Sequence, residues 1–228
     1  MTRRLVIVGA GGLGREVAEA VRAINGVRDT YDLLGFVDDR HAERGSDLDG
    51  VAVLGPIQTV ERLVEQHDDL QVVVCTGSQH DNFSRKRIVG RLALPAERYA
   101  VLVHPAASVA STCTLGPGTV VLAGNVLTAS VTLASHVAVM PGCVFTHDDV
   151  IEDFATVASG VLLGGDAVVG EGAFVGMGAM VREQRRVGAW ALVGAGAQVT
   201  RDVAPGAVVV GSPARVVRHR EIPADVGG

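Results

Sequence analysis

Residues 144–154 read VFTHDDVIEDF and set His147, Asp148 and Asp149 side by side in a stretch otherwise rich in valine, alanine and glycine. Histidine is the side chain whose ordinary pKa suits proton transfer near neutral pH. A carboxylate against one ring nitrogen fixes its tautomer and steadies the imidazolium that forms. The triplet therefore offers a general base with an orienting acid. Neighbours in extended chain point to opposite faces, so Asp148 reaches His147 only where the chain turns; otherwise the orienter is Asp149 or a group from another subunit. A second chemical signature is GAGGLG at residues 9–14, between the apolar run LVIV and the helical pattern REVAEAVRAIN. Glycines there let the backbone approach a pyrophosphate, and the helix N-terminus adds positive potential. Asp38 and Asp39, about 24 residues beyond Gly14, can bond a ribose, a sugar or a base. Any ligand with a diphosphate and a ribose fits this corner, so the motif does not single out NAD.

The elements that hold His147 follow a repeat of six. From Val103 to Val199, seventeen successive positions at six-residue steps are large and apolar, Phe145 and Ile151 among them. Filled at random from a chain that is 48% hydrophobic, such a run has a chance of roughly a few in a million, so the period is structural. Six suits neither helix nor coiled coil. It predicts a hexapeptide solenoid of short parallel strands and turns, the left-handed parallel β-helix, with three hexads per coil and between five and six coils. Glycine often follows the apolar residue, as at 116, 164, 170, 176, 188 and 194, where the turn is expected to need permissive backbone angles. Small residues stand two before it; Cys113 and Cys143 fill that slot and read as buried small hydrophobes rather than reactive thiols. No insertion breaks the register, so catalytic groups must come from turns, from the first domain or from a neighbouring subunit.

The first hundred residues alternate strands (5–8, 33–37, 71–75) with helical patterns (15–25, 57–67, 82–92), a small parallel α/β sheet. The expected division is a Rossmann-like nucleotide-binding domain at 1–100, a β-helix at 101–212 and a C-terminal tail at 213–228. A net charge of −5 without basic clusters argues against nucleic acid and anionic membranes as partners. The apolar runs are too short to span a bilayer, and no leader segment is evident, so the expected location is cytoplasmic.

Taken together, LVIVGAGGLGREVAEAV, LLGFVDD, LVHPAASV, VFTHDDVIEDF, GMGAMV and VVVGSPAR resemble the NeuD/PglD-type sugar acyltransferases. The resemblance covers nearly the whole chain. It implies a homotrimer that moves an acetyl group from acetyl-CoA to an amino or hydroxyl group of a sugar, often nucleotide-linked, with acetyl-CoA between adjacent β-helices and no metal. It also implies His147 as general base with Asp148 as its acid, and an acceptor nucleotide at Gly9, Gly11, Gly12, Asp38, Asp39, Thr76 and Gly77. Acyl-CoA contacts would fall at Gly165, Gly176, Met177 and Gly178. Two positions depart from the family pattern: Leu13 and Thr156 stand where its amino-sugar acetyltransferases often have histidines near the acyl or substrate groups. The acceptor and the acyl group are therefore left open.

His136 lies eleven residues before His147, and eleven is not a multiple of eighteen, so the two do not stack on adjacent coils. An acceptor-pocket role and an ordinary turn or interface role both fit it, while His104 reads as structural. Other classes are weighed by the same residues. A β-helical zinc hydrolase needs three histidines meeting at one metal, and His104, His136 and His147 lack such spacing. A non-catalytic nucleotide-sugar-binding scaffold would not need the His–Asp pair. An NAD enzyme would need a catalytic domain for which the hexads leave no room.

Overall fold

A computed structural model describes residues 2–40 and 47–226. The α/β half runs β1 (Arg3–Val8), α1 (Gly12–Val27), β2 (Tyr31–Val37), β3 (Asp47–Leu48), β4 (Val51–Gly55), α2 (Thr59–Gln66), β5 (Gln71–Val74) and α3 (Ser84–Leu92). Its sheet has the order β3-β4-β2-β1-β5, parallel except for the β3–β4 pair. The alternation of strand and helix predicts this sheet, apart from β3 and β4. Leu5 and Ile7 pack toward α1, Val6 and Val8 toward α2 and α3, and all four are fully buried. That is why LVIV is apolar throughout rather than alternating.

From Leu102 onward the chain winds into the left-handed parallel β-helix that the hexads predict, with two-residue strands every six residues. As far as Val199 the strands pair in parallel with those eighteen residues away, Leu127 with Phe145, Ile151 with Val169 and Val157 with Val175; the last coil is shorter, and Leu192 pairs with Val208. Three faces result. The first begins at Leu102–Val103, the second at Ser108–Val109 and the third at Thr114–Leu115. One residue of each strand enters the aliphatic core; Phe145, Ile151, Val157, Val169 and Val175 are all fully buried there.

The corners differ from expectation in one respect. The glycines directly after the apolar residue do not carry the left-handed backbone. A Cβ at Gly176 would stand 2.6 Å from the carbonyl oxygen of Val193, and one at Gly164 would stand 2.6 Å from the amide of Glu183. These glycines are required because successive coils touch there, not for freedom of φ. The left-handed residue comes two positions later, and the pattern holds at every hexad from Gly118 to Gly196. Glycine fills it in some coils; Ser130, His136, Asp148, Phe154, Asp166, Gln184 and Trp190 fill it in others.

The outer row of the first face, including Leu102, Val120 and Ala138, is buried, and Leu102 and Val120 share a cluster with Val17, Ala18 and Val21 of α1. The α/β domain thus sits on that face. The segment after residue 212 is not a loose tail. Residues Arg215–His219 form an antiparallel strand on Ala207–Val210, which extends the first face. Val226 is buried against Phe83 and Trp190, and Asp225 pairs with Arg87 at 2.6 Å. Among the described residues no helix is long and apolar enough to cross a membrane.

The register makes a direct test. Ile151→Ala should cost about 2–5 kcal/mol in urea denaturation, as truncation of a fully buried aliphatic does, whereas Val150→Ala, one residue away but 36% exposed, should cost under about 1 kcal/mol. Equal losses would be incompatible with the inward and outward assignment.

Candidate active site

His147 stands at the corner between the second and third faces, just after Phe145 enters the core. Asp148 occupies the left-handed corner position with φ +63°, a conformation that aspartate tolerates better than most side chains. That turn swings its carboxylate back on its neighbour, and Asp148 Oδ2 lies 2.9 Å from His147 Nδ1. The condition set by the sequence is met: the chain turns where Asp148 must reach His147. With the Nδ1 proton donated to the carboxylate, Nε2 keeps a lone pair. Both side chains are largely solvent-exposed, at 66% and 61%.

Asp149 does other work. It is fully buried, and its oxygens accept hydrogen bonds from the amides of Thr146 at 2.8 Å and Ala167 at 2.9 Å. It therefore ties the His147 corner to the coil that follows. Asn125 holds the amide of Cys143 in the same hexad slot, also at 2.8 Å. Burial pushes the Asp149 carboxyl up to about 6. Gly165 lies one coil beyond His147, and a Cβ there would stand 2.4 Å from His147 Nε2. The glycine is the seat on which the imidazole rests.

The α/β domain holds a cleft of about 560 Å³. Gly9, Gly11, Gly12, Asp38, Asp39, Thr76 and Gly77 all line it, together with Leu13, Arg40 and Ser84. Gly9 (φ +101°) and Gly14 are steric necessities: a Cβ on Gly14 would overlap the carbonyl of Gly9. At Gly11 and Gly12 a Cβ would meet open space, and no side chain caps the start of α1. Asp38 accepts from the amides of Ala10 and Arg40, each at 2.8 Å, and Asp39 from that of Ile57 at 2.8 Å.

A second cavity, about 410 Å³, runs along the second face past Leu162, Gly164, Met180, Arg182, Gln198 and Thr200. None of Gly165, Gly176, Met177 and Gly178 lines it. Gly165 follows Gly164 at one border, and residues 176–178 form the corner that leads into Met180 at the other; Met177 is 63% exposed there. His136 lines neither of these cavities. It is buried between Tyr99, edge-on at 4.6 Å, and Phe154, stacked at 5.1 Å, where the α/β domain meets the prism. Burial and the nearby Arg85 cation hold it down to about 4, so the ring is neutral. Thr156 is also buried at that seam, with its hydroxyl 2.9 Å from Arg85 Nη2. Thr156 thus lies away from the His147 corner of its own chain, whereas Leu13 lines the α/β cleft. Among the described residues no cluster of three His, Cys, Asp or Glu side chains is placed to hold a metal.

Residues 4–92 match the PglD N-terminal domain model. Over 123 residues the chain is 32% identical to the UDP-N-acetylbacillosamine N-acetyltransferase of Bacillus subtilis (strain 168), which spans 53% of this chain and about half (52%) of that protein. The acetyltransferase domain of PglB from Neisseria gonorrhoeae FA1090 superposes with a TM-score of 0.86 at 31% identity, covering 95% of this chain and 100% of that one. This chain belongs to the NeuD/PglD-type sugar acyltransferase family. PerB from Caulobacter crescentus, solved with CoA and GDP-perosamine, matches at 31% identity and a TM-score of 0.81 over 93% of this chain and 96% of its own. In this member, the residue that no motif singles out is Arg85. It reads as one of several cations in SRKR on a surface helix, yet it is 2% exposed.

Asp149 gives a pH-dependent prediction. Its unfolded counterpart titrates near 4, so between about pH 4 and 6 the folded chain keeps a proton that the unfolded chain has lost. That contribution to stability is whole below pH 4 and disappears as pH rises through 6. Asp149→Asn removes the titrating carboxyl and keeps an acceptor for the Ala167 amide, while its Nδ2 faces the Thr146 amide at a cost that does not vary with pH. Relative to wild type it should gain on the order of 2 kcal/mol between pH 4 and pH 7. Parallel pH profiles of urea denaturation for the two proteins would show that Asp149 is not the titrating group.

Proposed function

We propose that this chain is an acetyl-CoA-dependent N-acetyltransferase whose acceptor is a nucleotide-linked amino sugar, with His147 as general base. The observation that carries the reading is the His147–Asp148 pair, oriented at 2.9 Å and seated beside Gly164 and Gly165 at the border of the second-face groove. Family membership supports the donor: PglB of Neisseria gonorrhoeae has been solved with acetyl coenzyme A, and PerB with CoA and a GDP-linked amino sugar. The groove takes the acyl-CoA and the α/β cleft takes the nucleotide. The acceptor nitrogen attacks the thioester carbonyl, the C–N bond forms as the C–S bond breaks, and His147 Nε2 accepts the amine proton. That proton then passes to the departing CoA thiolate, so no acyl-enzyme is needed.

The active unit is a homotrimer. Within one protomer the α/β domain covers the first face and the adjoining corner that carries His136, Phe154 and Trp190, whereas His147 projects from the corner opposite that face. A nucleotide-sugar held in the cleft therefore meets the His147 of a neighbouring copy. Val126, Leu162 and Met180 leave an exposed apolar row on the second face, which ends at that corner, and this is the surface that a second prism would cover. Arg85, Thr156 and His136 serve the seam between the two domains.

CoA release from acetyl-CoA should be measured across UDP-, dTDP- and GDP-linked sugars, amino and hydroxy. One amino sugar should support turnover. With it, His147→Ala should lower kcat by about 10² to 10⁴, and Gly165→Ala, which displaces the imidazole from its seat, should lower kcat by about tenfold or more. Undiminished turnover in His147→Ala would remove the general-base assignment.

A further inference from the structure

Arg85 is a buried cation without a buried anion. Its guanidinium donates to four acceptors: the carbonyl of Thr76 at 3.0 Å, that of His136 at 2.7 Å, that of Ala155 at 3.4 Å and the hydroxyl of Thr156 at 2.9 Å. None of these carries a charge. Among the described residues no carboxylate forms an ion pair with it. The adjacent Cys75 is a neutral thiol, because burial pushes it up to about 12. Taking a guanidinium out of water with only dipoles for company costs several kcal/mol, and proteins place such groups where a ligand supplies the missing charge.

The geometry shows where that charge would enter. Thr76 and Gly77, which line the nucleotide cleft, form the layer between the cleft and Arg85. A Cβ on Gly77 would stand 3.3 Å from Arg85 Nη2, so at that point only the glycine backbone separates the cation from the cleft. The hydroxyl of Thr76 is also buried and has no hydrogen-bond partner. The acids of the lining do not neutralise the guanidinium. Asp38 and Asp39 accept from backbone amides near α1 and Ile57, and Asp81 accepts from the amides of Phe83 and Ser84.

We infer that Arg85 is a specificity-determining residue, the fixed counter-charge beneath the cleft that selects a ligand bearing a diphosphate over its uncharged nucleoside, with the Thr76 hydroxyl donating to the same anion. The inference rests on the cleft being the nucleotide site. Arg85 acts through Gly77 and Thr76 rather than by touching the sugar, so it governs binding of the acceptor and not the acyl transfer itself.

The test compares dissociation constants, by titration calorimetry, of UDP and GDP with those of uridine and guanosine. The proteins are wild type, Arg85→Lys and Arg85→Gln, each checked for native circular dichroism. In wild type the matching diphosphate should bind at least tenfold more tightly than its nucleoside. Arg85→Gln should weaken the diphosphate by roughly 10- to 100-fold, the scale of one charge-assisted contact. It should change the nucleoside by less than threefold, and Arg85→Lys should recover much of the loss. Saturating nucleotide-sugar should return kcat in Arg85→Gln, which puts the defect in KM. If Arg85→Gln does not fold, Thr76→Val, which removes only the unpartnered hydroxyl and leaves the backbone carbonyl that Arg85 holds, should weaken the diphosphate selectively. Equal weakening of nucleoside and diphosphate, or none of either, would refute the role of Arg85 and leave the nucleotide site standing. Absence of all nucleotide binding by wild type would instead overturn the cleft assignment itself.

Discussion

The eighteen-residue register is the constraint on which the rest of the structure depends. Each coil gives its strand amides to carbonyls one coil away, so no coil can shift by one residue without turning its valines outward and its polar residues inward. The corners are fixed by the same closure. At Gly164 and Gly176 the next coil comes too close for a side chain, and from Gly118 to Gly196 the corner residue of each hexad is left-handed. The His147 pair follows directly from this. Asp148 occupies a position that is left-handed at every hexad from Gly118 to Gly196, and that backbone brings its carboxylate to His147 Nδ1. No special loop has to be built to hold the pair, because the repeat already provides the bend.

A second consequence concerns the seam between the two halves. The first face surrenders its outer row to α1, and the neighbouring corner carries His136, Phe154 and Trp190 against the loop that leads into α3. Asn82 reaches the carbonyl of Gly172 at 2.7 Å and Arg85 that of His136. The cleft is thereby anchored to particular coils of the prism. On the proposed function a rigid mount matters, because a nucleotide held in the α/β domain would have to present its sugar to a histidine that this domain does not contain.

Much of this was legible in the sequence because a repeat averages over many residues. Seventeen apolar hexad positions outweigh local exceptions, and the cleft residues were readable because GAGGLG and LLGFVDD sit at strand ends, where chemistry concentrates. What escaped notice depends on contacts remote in sequence. VAVLG at 51–55 forms the strand β4 but stands amid glycines and acids that read as loop. The glycines at 164 and 176 look like bending residues in the sequence, although the next coil is what excludes a side chain there. Arg85 and His136 look like surface residues in their own hexad or helix, and only the docking of one domain on the other buries them. The strand Arg215–His219 pairs with a partner that the hexad count does not anticipate.

That last strand bears on how the molecule ends. A parallel solenoid is open at its final coil, and an open edge of this kind is a template on which further coils, including those of other molecules, can add. Here the chain reverses at Gly211 (φ +92°) and lays Arg215–His219 antiparallel across the first face. The strand is short, carries Arg215 and Arg218, and runs against the sense of every coil beneath it. On that face the parallel stacking ends at the reversed strand, so no further coil can add there in the same sense as those beneath it.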